Sequence, residues 1–364
     1  MPGNSLTSIT SFNLTRLLLK LLLLSLAVVA IGAFNLMIDP AHLFNSEKFT
    51  EQASIDLSNG YHLANFNNAD ERLFQKKLIA KLKYTPEIIV LGSSTSMQIG
   101  QSYFNKHRFF NSAVSSSTLE DYLAVYRLYE KNNKEPKVVM IGINPWIFDH
   151  DITNDRIGII AEEYQEMLAQ LAVKNNLEIP NALNNSLEKV KTVFSGEYFF
   201  ESFQAFRTSS YYATKDSTVQ CPIKHNDGTV NEFKYWNRDT NYVNSLARNY
   251  TNEFEDYASL SATKCNLLEA FVTYLQSKNK KVIFYISPLH PYTYPLKHVN
   301  KTVTMINTYY QAVSKKLNVL MIGNINPAMY HLQPQDFYDA QHLKKPASDK
   351  IFALELNRIN QYIK

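Results

Sequence analysis

Serine, asparagine, aspartate and histidine stand in this sequence at places where a chain could do acyl chemistry. In "EIIVLGSSTSM" (87–97) an apolar run stops on Gly92 and is followed by Ser93, Ser94, Thr95 and Ser96. A serine between a strand and a helix meets the positive end of that helix. Backbone N–H groups there can stabilise the charge that develops in acyl transfer. Helix capping by Ser93, Ser94 or Thr95 is the simpler use of the same residues. "IGINPW" supplies Asn144, whose amide can donate to an oxyanion or close a turn before Pro145. "FYDAQHL" sets Asp339 three residues before His342. One turn can then present a carboxylate that orients an imidazole, which in turn removes a proton from a serine hydroxyl. An exposed polar loop would have the same composition.

Other candidates point elsewhere. His290 in "SPLHPYTY" follows an apolar strand and is expected to support the crevice or touch substrate rather than to catalyse. Between 201 and 257, Tyr235 and Trp236 stand with Phe203, Tyr211, Tyr212 and Tyr242 among many Asn and Asp residues. Aromatic faces beside amides suit sugar rings, and they equally suit the packing of a small subdomain. The His and Cys positions show no metal-ligand spacing, and "GSSTSMQIG" lacks the spacing and the lysine of a phosphate loop. No metal and no cofactor is expected.

The elements that must position these residues follow a repeated grammar. Short apolar strands at 87–91, 108–114, 137–143, 281–286 and 319–322 alternate with amphipathic helices. The helices are expected at 118–131, 264–278, 301–317 and from Pro346 onward. Thr118 and Asp121 form a capping box for the first, and proline suits a first helical turn. Unbroken apolar strands between helices predict a parallel sheet covered on both faces. Ser94, Asn144 and His342 fall after its first, third and fifth strands. Residues 145–262 interrupt the grammar and read as an insertion. It would lie beside the carboxyl ends of the strands, where open α/β sheets bind ligands.

With 364 residues, 45% of them hydrophobic, the chain can build one large core. A net charge of +4 without a long basic run argues against nucleic acid as a partner. Residues 17–38 form an apolar run long enough for a membrane helix, with Arg16 and Lys20 at its leading end. The positive-inside tendency predicts a cytoplasmic tail at 1–16, an anchor at 17–38, a connecting segment at 39–72 and an exported domain at 73–364. A cleaved signal peptide is the alternative, with Ala30 and Gly32 before Ala33 as a poor cleavage site. The two cysteines, Cys221 and Cys265, both fall in the exported part and are expected to form a disulfide. The alternative is two unrelated buried thiols.

Together these stretches resemble the SGNH (GDSL-like) hydrolase superfamily over residues 85–144 and 264–364. Gly92-Ser93-Ser94 resembles its Gly-Asp-Ser block, with Ser93 in place of the aspartate. "NSAVSS" resembles its Asn-x-x-x-x-Gly turn, with Ser116 in place of the glycine. Gly142 and Asn144 match Gly-x-Asn, and Asp339 and His342 match Asp-x-x-His. The resemblance implies a three-layer αβα sandwich on a five-stranded parallel sheet, with Ser94 as nucleophile, His342 as base and Asp339 as orienter. It assigns the oxyanion hole to Ser94, Ser116 and Asn144.

The anchor, the Gly-Ser-Ser block and "NLMIDPAHLF" (35–44) look most like the membrane-anchored, exported branch that modifies cell-envelope polymers. That branch includes teichoic acid D-alanine-transfer and alginate O-acetylation proteins. It implies an acyl donor, a glycan acceptor and a membrane-bound O-acyltransferase partner. Two other readings remain: a non-catalytic envelope module that binds glycan or such a partner, and a secreted lipid or carbohydrate esterase.

Overall fold

The structure, a computed structural model, describes residues 6–104, 106–149, 156–173, 189–207, 211–251 and 259–364. Its elements begin with helix α1 (Leu6–Ile38), α2 (Ser46–Ser58), strand β1 (His62–Ala64), α3 (Glu71–Lys81), β2 (Ile88–Leu91) and β3 (Phe109–Asn111). Next come α4 (Leu119–Lys131), β4 (Val138–Ile143), α5 (Ala161–Leu171), α6 (Gly196–Arg207), β5 (Tyr212–Thr214), β6 (Ile223–Lys224) and β7 (Val230–Asn231). The chain closes with α7 (Thr240–Arg248), α8 (Ala262–Ser277), β8 (Lys281–Ile286), α9 (Lys297–Leu317), β9 (Leu320–Gly323) and α10 (Lys345–Ile363).

Two units divide the chain. In the first, drawn from residues 6–49 and 189–207, the stretch Arg16–Ile38 of α1 is long and apolar enough to cross a membrane or to serve as a signal sequence. Its leucines from Leu17 to Leu26 are exposed.

The second unit contains the five-stranded sheet, all parallel, in the order β3-β2-β4-β8-β9. Successive strand residues point to opposite faces, which sorts the apolar runs into two cores. Ile89, Leu91, Val139, Ile141, Val282 and Phe284 pack against α4, α8 and α9 through Tyr126, Phe271 and Tyr310. Ile88, Val90, Val138, Met140, Ile283 and Tyr285 pack on the other face against Phe104, Phe352 and Ile359, the last two on α10. Phe110, Phe271 and Phe284 are fully buried, and each contributes about 1.5–3 kcal/mol by leaving water. The capping box of Thr118 and Asp121 starts α4, and Pro346 sits in the first turn of α10.

Two expectations are corrected. The stretch 145–262 does not form a single inserted body. Its α5 packs on α4 through Tyr164, Met167 and Leu168, while α6 belongs to the first unit. Its short strands pair with β1, from the segment expected only to connect, in a four-stranded antiparallel sheet ordered β5-β1-β6-β7. Nor does the expected disulfide form, because Cys221 and Cys265 are free thiols. Cys221 lies beside Tyr212 of that small sheet, whereas Cys265 is half-buried on α8 against Tyr309 of α9. The two cysteines thus sit in different neighbourhoods, and burial pushes the Cys265 thiol up.

Candidate active site

Strand β2 ends at Leu91, and Ser94–Ser96 form a single tight helical turn immediately after it. Ser93 stands at the cap position of that turn but makes no side-chain capping bond. Gly92 does not take a left-handed conformation. What requires glycine is close approach: a Cβ on Gly92 would lie 2.6 Å from Ser96 Oγ, and one on Gly142 of β4 would lie 2.0 Å from it. The Ser96 side chain wedges between two glycines, which draws the turn down onto the sheet edge.

Ser94 is thereby presented, half-buried, to His342. Its hydroxyl lies 2.8 Å from His342 Nε2, and His342 Nδ1 lies 2.8 Å from Asp339 Oδ2 and 3.0 Å from Oδ1. Asp339 Oδ1 also accepts the N–H groups of Gln341 at 2.9 Å and His342 at 2.8 Å. Burial alone would push this carboxyl up. The imidazole and the two N–H groups outweigh it and hold the pKa below the ordinary carboxylate value. With Nδ1–H donating to a carboxylate, Nε2 is left as the acceptor for the serine O–H.

Among the described residues the N–H groups of Ser94 and Ser116 donate to no backbone carbonyl. Ser116 takes the left-handed conformation (φ 49°), the backbone region in which glycine is unstrained. Asn144 is almost fully buried behind the turn. Its Oδ1 accepts from the Thr95 hydroxyl at 2.7 Å and its Nδ2 donates to Tyr122 Oη at 3.3 Å, which commits one of two amide hydrogens.

A cavity of about 350 Å³ opens in front of Ser94, Asp339 and His342. Its walls include Gln98, Ser115, Glu232, Tyr235, Arg238 and Tyr338. Tyr338 lies parallel to the His342 ring, with centroids 5.4 Å apart, and stacks on Tyr235 at 5.8 Å. The Arg238 guanidinium caps the column 4.2 Å above Tyr235 and donates to Tyr338 O at 3.3 Å. Such ring contacts are worth about 0.5–1.5 kcal/mol each, and the cation–π contact adds a similar amount. A second concavity of similar volume, lined by Pro291, Tyr294, Pro327 and His331, holds no such relay.

The sequence-expected residues thus divide. Ser94, Asp339, His342 and Tyr235 line the cavity; Trp236 and Asn144 do not. Of the Ser115–Ser116 turn, Ser115 lines the cavity and Ser116 does not. His290 is fully buried and does not reach the crevice. Its backbone N–H donates to Ala340 O at 3.2 Å and its ring packs on Phe337, so it supports the turn that carries Asp339 and His342. Burial pulls its pKa down to about 4, against the opposing charge of Asp339. Tyr338, Arg238, Glu232 and Gln98 were missed. Tyr338 was detectable as the neighbour of Asp339; the other three carry no local signal. Among the described residues, no group of three or more His, Cys, Asp and Glu side chains could hold a metal ion.

No protein-family model and no curated protein matches this chain. Among solved structures it is similar to a Bacteroides fragilis protein designated an acylhydrolase by inference. The likeness has 10% identity and a TM-score of 0.36, covering 76% of this chain and 88% of that one. At that level the reading of the site rests on its own residues.

Proposed function

We propose that this protein is a serine acyl-transfer enzyme of the SGNH type, held to a membrane by α1, that acts on a cell-envelope or exported polysaccharide. The observation that carries the reading is the relay from Ser94 through His342 to Asp339 at the mouth of a cavity. Ser94 Oγ attacks the carbonyl carbon of an ester, and its proton passes to His342 Nε2. The N–H groups of Ser94 and Ser116 receive the oxyanion, while Asn144, bonded to Thr95 and Tyr122 behind the Ser94 turn, positions that turn. Collapse of the intermediate releases the alcohol, which takes the proton from the imidazolium. A sugar hydroxyl, or water, then gives its proton to His342 and attacks the acyl carbon; as the acyl–Oγ bond breaks, the imidazolium returns that proton to Oγ, which regenerates Ser94. Asp339 keeps the imidazole in the required tautomer throughout.

Glu232, Arg238 and Gln98 offer polar groups for the acceptor, beside the edge of the Tyr235 ring, whose faces Tyr338 and Arg238 cover. Anchoring next to a membrane-bound acyltransferase would supply the acyl donor. The test is labelling of the full chain with a serine-directed fluorophosphonate. Wild type should be labelled and Ser94→Ala should not. An unlabelled but folded wild type would leave a non-catalytic binding module in its place.

A further inference from the structure

The first unit carries apolar surface that α1 alone does not explain. Helix α6 divides into three stripes at helical spacing. Tyr198, Ser202 and Ala205 are buried or half-buried, and α6 packs on α1. Glu197, Glu201 and Gln204 form an exposed polar stripe. Phe199, Phe203 and Phe206 form the third stripe with Phe200 beside them, and all four are exposed, Phe200 by 61% and Phe206 by 65%. Just before the helix, Val190 and Phe194 are exposed as well.

This aromatic surface runs into the C-terminal end of α1. Phe199 and Phe206 lie 5.6 and 6.1 Å from the Phe34 ring. The Phe194 ring occupies the space that a Cβ on Gly32 would need. Asn35 Nδ2 donates to Val193 O at 2.7 Å and Tyr198 Oη donates to Asp39 Oδ1 at 2.9 Å, which fixes residues 193–198 to the last turns of the apolar run.

We infer that residues 189–207 form a second membrane contact, a helix lying in the lipid interface around the point where α1 leaves the bilayer. The inference rests on the reading of α1 as a span. Three observations fit a lipid occupant. The phenylalanine stripe continues the exposed apolar surface of α1. Gly32, where Phe194 packs, lies six residues, or about 9 Å, before Ile38, within the roughly 5–10 Å that interfacial helices penetrate. Exposed Lys189, Lys191 and Arg207 flank the stripe, where their cationic ends can reach headgroups. The Glu197–Glu201–Gln204 stripe is left to water.

The test uses the full chain in vesicles of phosphatidylethanolamine and phosphatidylglycerol, brominated either near the headgroup or near the end of the acyl chain. Phe200→Trp, Leu24→Trp and Glu201→Trp are compared, each read as a difference from the parent chain. Expected are loss of Phe200→Trp fluorescence with the shallow bromines, loss of Leu24→Trp fluorescence with the deep ones, and quenching of Glu201→Trp only by aqueous acrylamide. Quenching of Leu24→Trp with none of Phe200→Trp would overturn this inference and leave the anchor standing. Quenching of neither would overturn both. Phe206→Trp repeats the measurement if Phe200→Trp fails to fold.

Discussion

Arg72 grips Asp121 with both arms of its guanidinium, Nε and Nη2 lying 2.9 and 2.7 Å from the two carboxylate oxygens, and both side chains are out of solvent. The same guanidinium donates to Ser115 O at 3.2 Å and Ser116 O at 3.4 Å, while Glu71 accepts the Ser115 N–H. The start of α3 therefore holds the turn that would carry an oxyanion donor. Breaking a buried pair by removing one partner costs about 3–5 kcal/mol. Arg72→Leu and Asp121→Ala should lose that much in urea unfolding. They should also lose turnover well below their unfolding midpoints. Arg72→Lys should not rescue turnover, because a point charge cannot reproduce the fork. Full turnover in a destabilised Arg72→Leu protein would remove the turn from the mechanism.

Ser94→Ala should lower esterase or transfer activity by roughly 10⁴–10⁶-fold, with His342→Ala nearly as damaging and Asp339→Asn less so. The double variant Ser94→Ala/His342→Ala should be no worse than Ser94→Ala. Additive losses would mean that the three side chains do not act as one unit.

Ser116 holds a conformation that costs a residue with a Cβ about 1–2 kcal/mol. Glycine relieves this but loses more backbone entropy on folding, so Ser116→Gly should gain about 0.5–1 kcal/mol in chemical unfolding and keep activity. A loss of stability would show that the exposed Ser116 side chain makes a contact that matters.

Gly142→Ala should be strongly destabilising, because its Cβ would meet Ser96 Oγ at 2.0 Å and Gly92 Cα at 3.2 Å. Among the described residues the buried Ser96 Oγ has no hydrogen-bond partner, so Ser96→Ala should be neutral or stabilising by about 1 kcal/mol. Combining the two should recover part of the Gly142→Ala loss, as read from melting temperatures.

His290 is neutral when folded, its pKa lowered from 6.5 to about 4, so between those values the unfolded chain binds the extra proton. Stability should therefore rise with pH from about 4 to 6.5. His290→Phe should flatten that part of the profile in denaturant titrations across this range. An unchanged slope would assign it to other groups.

The parallel sheet was legible because buried strands such as "EIIVL" and "KVVMIGI" are unbroken apolar runs between helical periods. Ser94, Asp339 and His342 were legible because short local patterns carry them. What joins distant segments was not. The pairing of β1 with β5 and β6, the hold of Arg72 on Asp121 and the stack of Tyr235 on Tyr338 arise from contacts far apart in sequence. The stripe at Phe199, Phe203 and Phe206 was readable at helical spacing but was absorbed into a presumed insertion. The two cysteines were paired by a compartment argument, and the neighbours of each side chain decided otherwise.

The separation of 248 residues from Ser94 to His342 has a consequence in time. At roughly 5–20 residues per second of synthesis, Ser94 is made about 12–50 s before His342. Throughout that interval the hydroxyl has no His342 imidazole to take its proton. The β1 strand waits similarly for its neighbours, since Leu63 pairs with Ala213 and Lys224. If Ser94 is the nucleophile proposed above, its reactivity waits on the synthesis of His342, and a nascent chain stalled before that residue would be chemically silent.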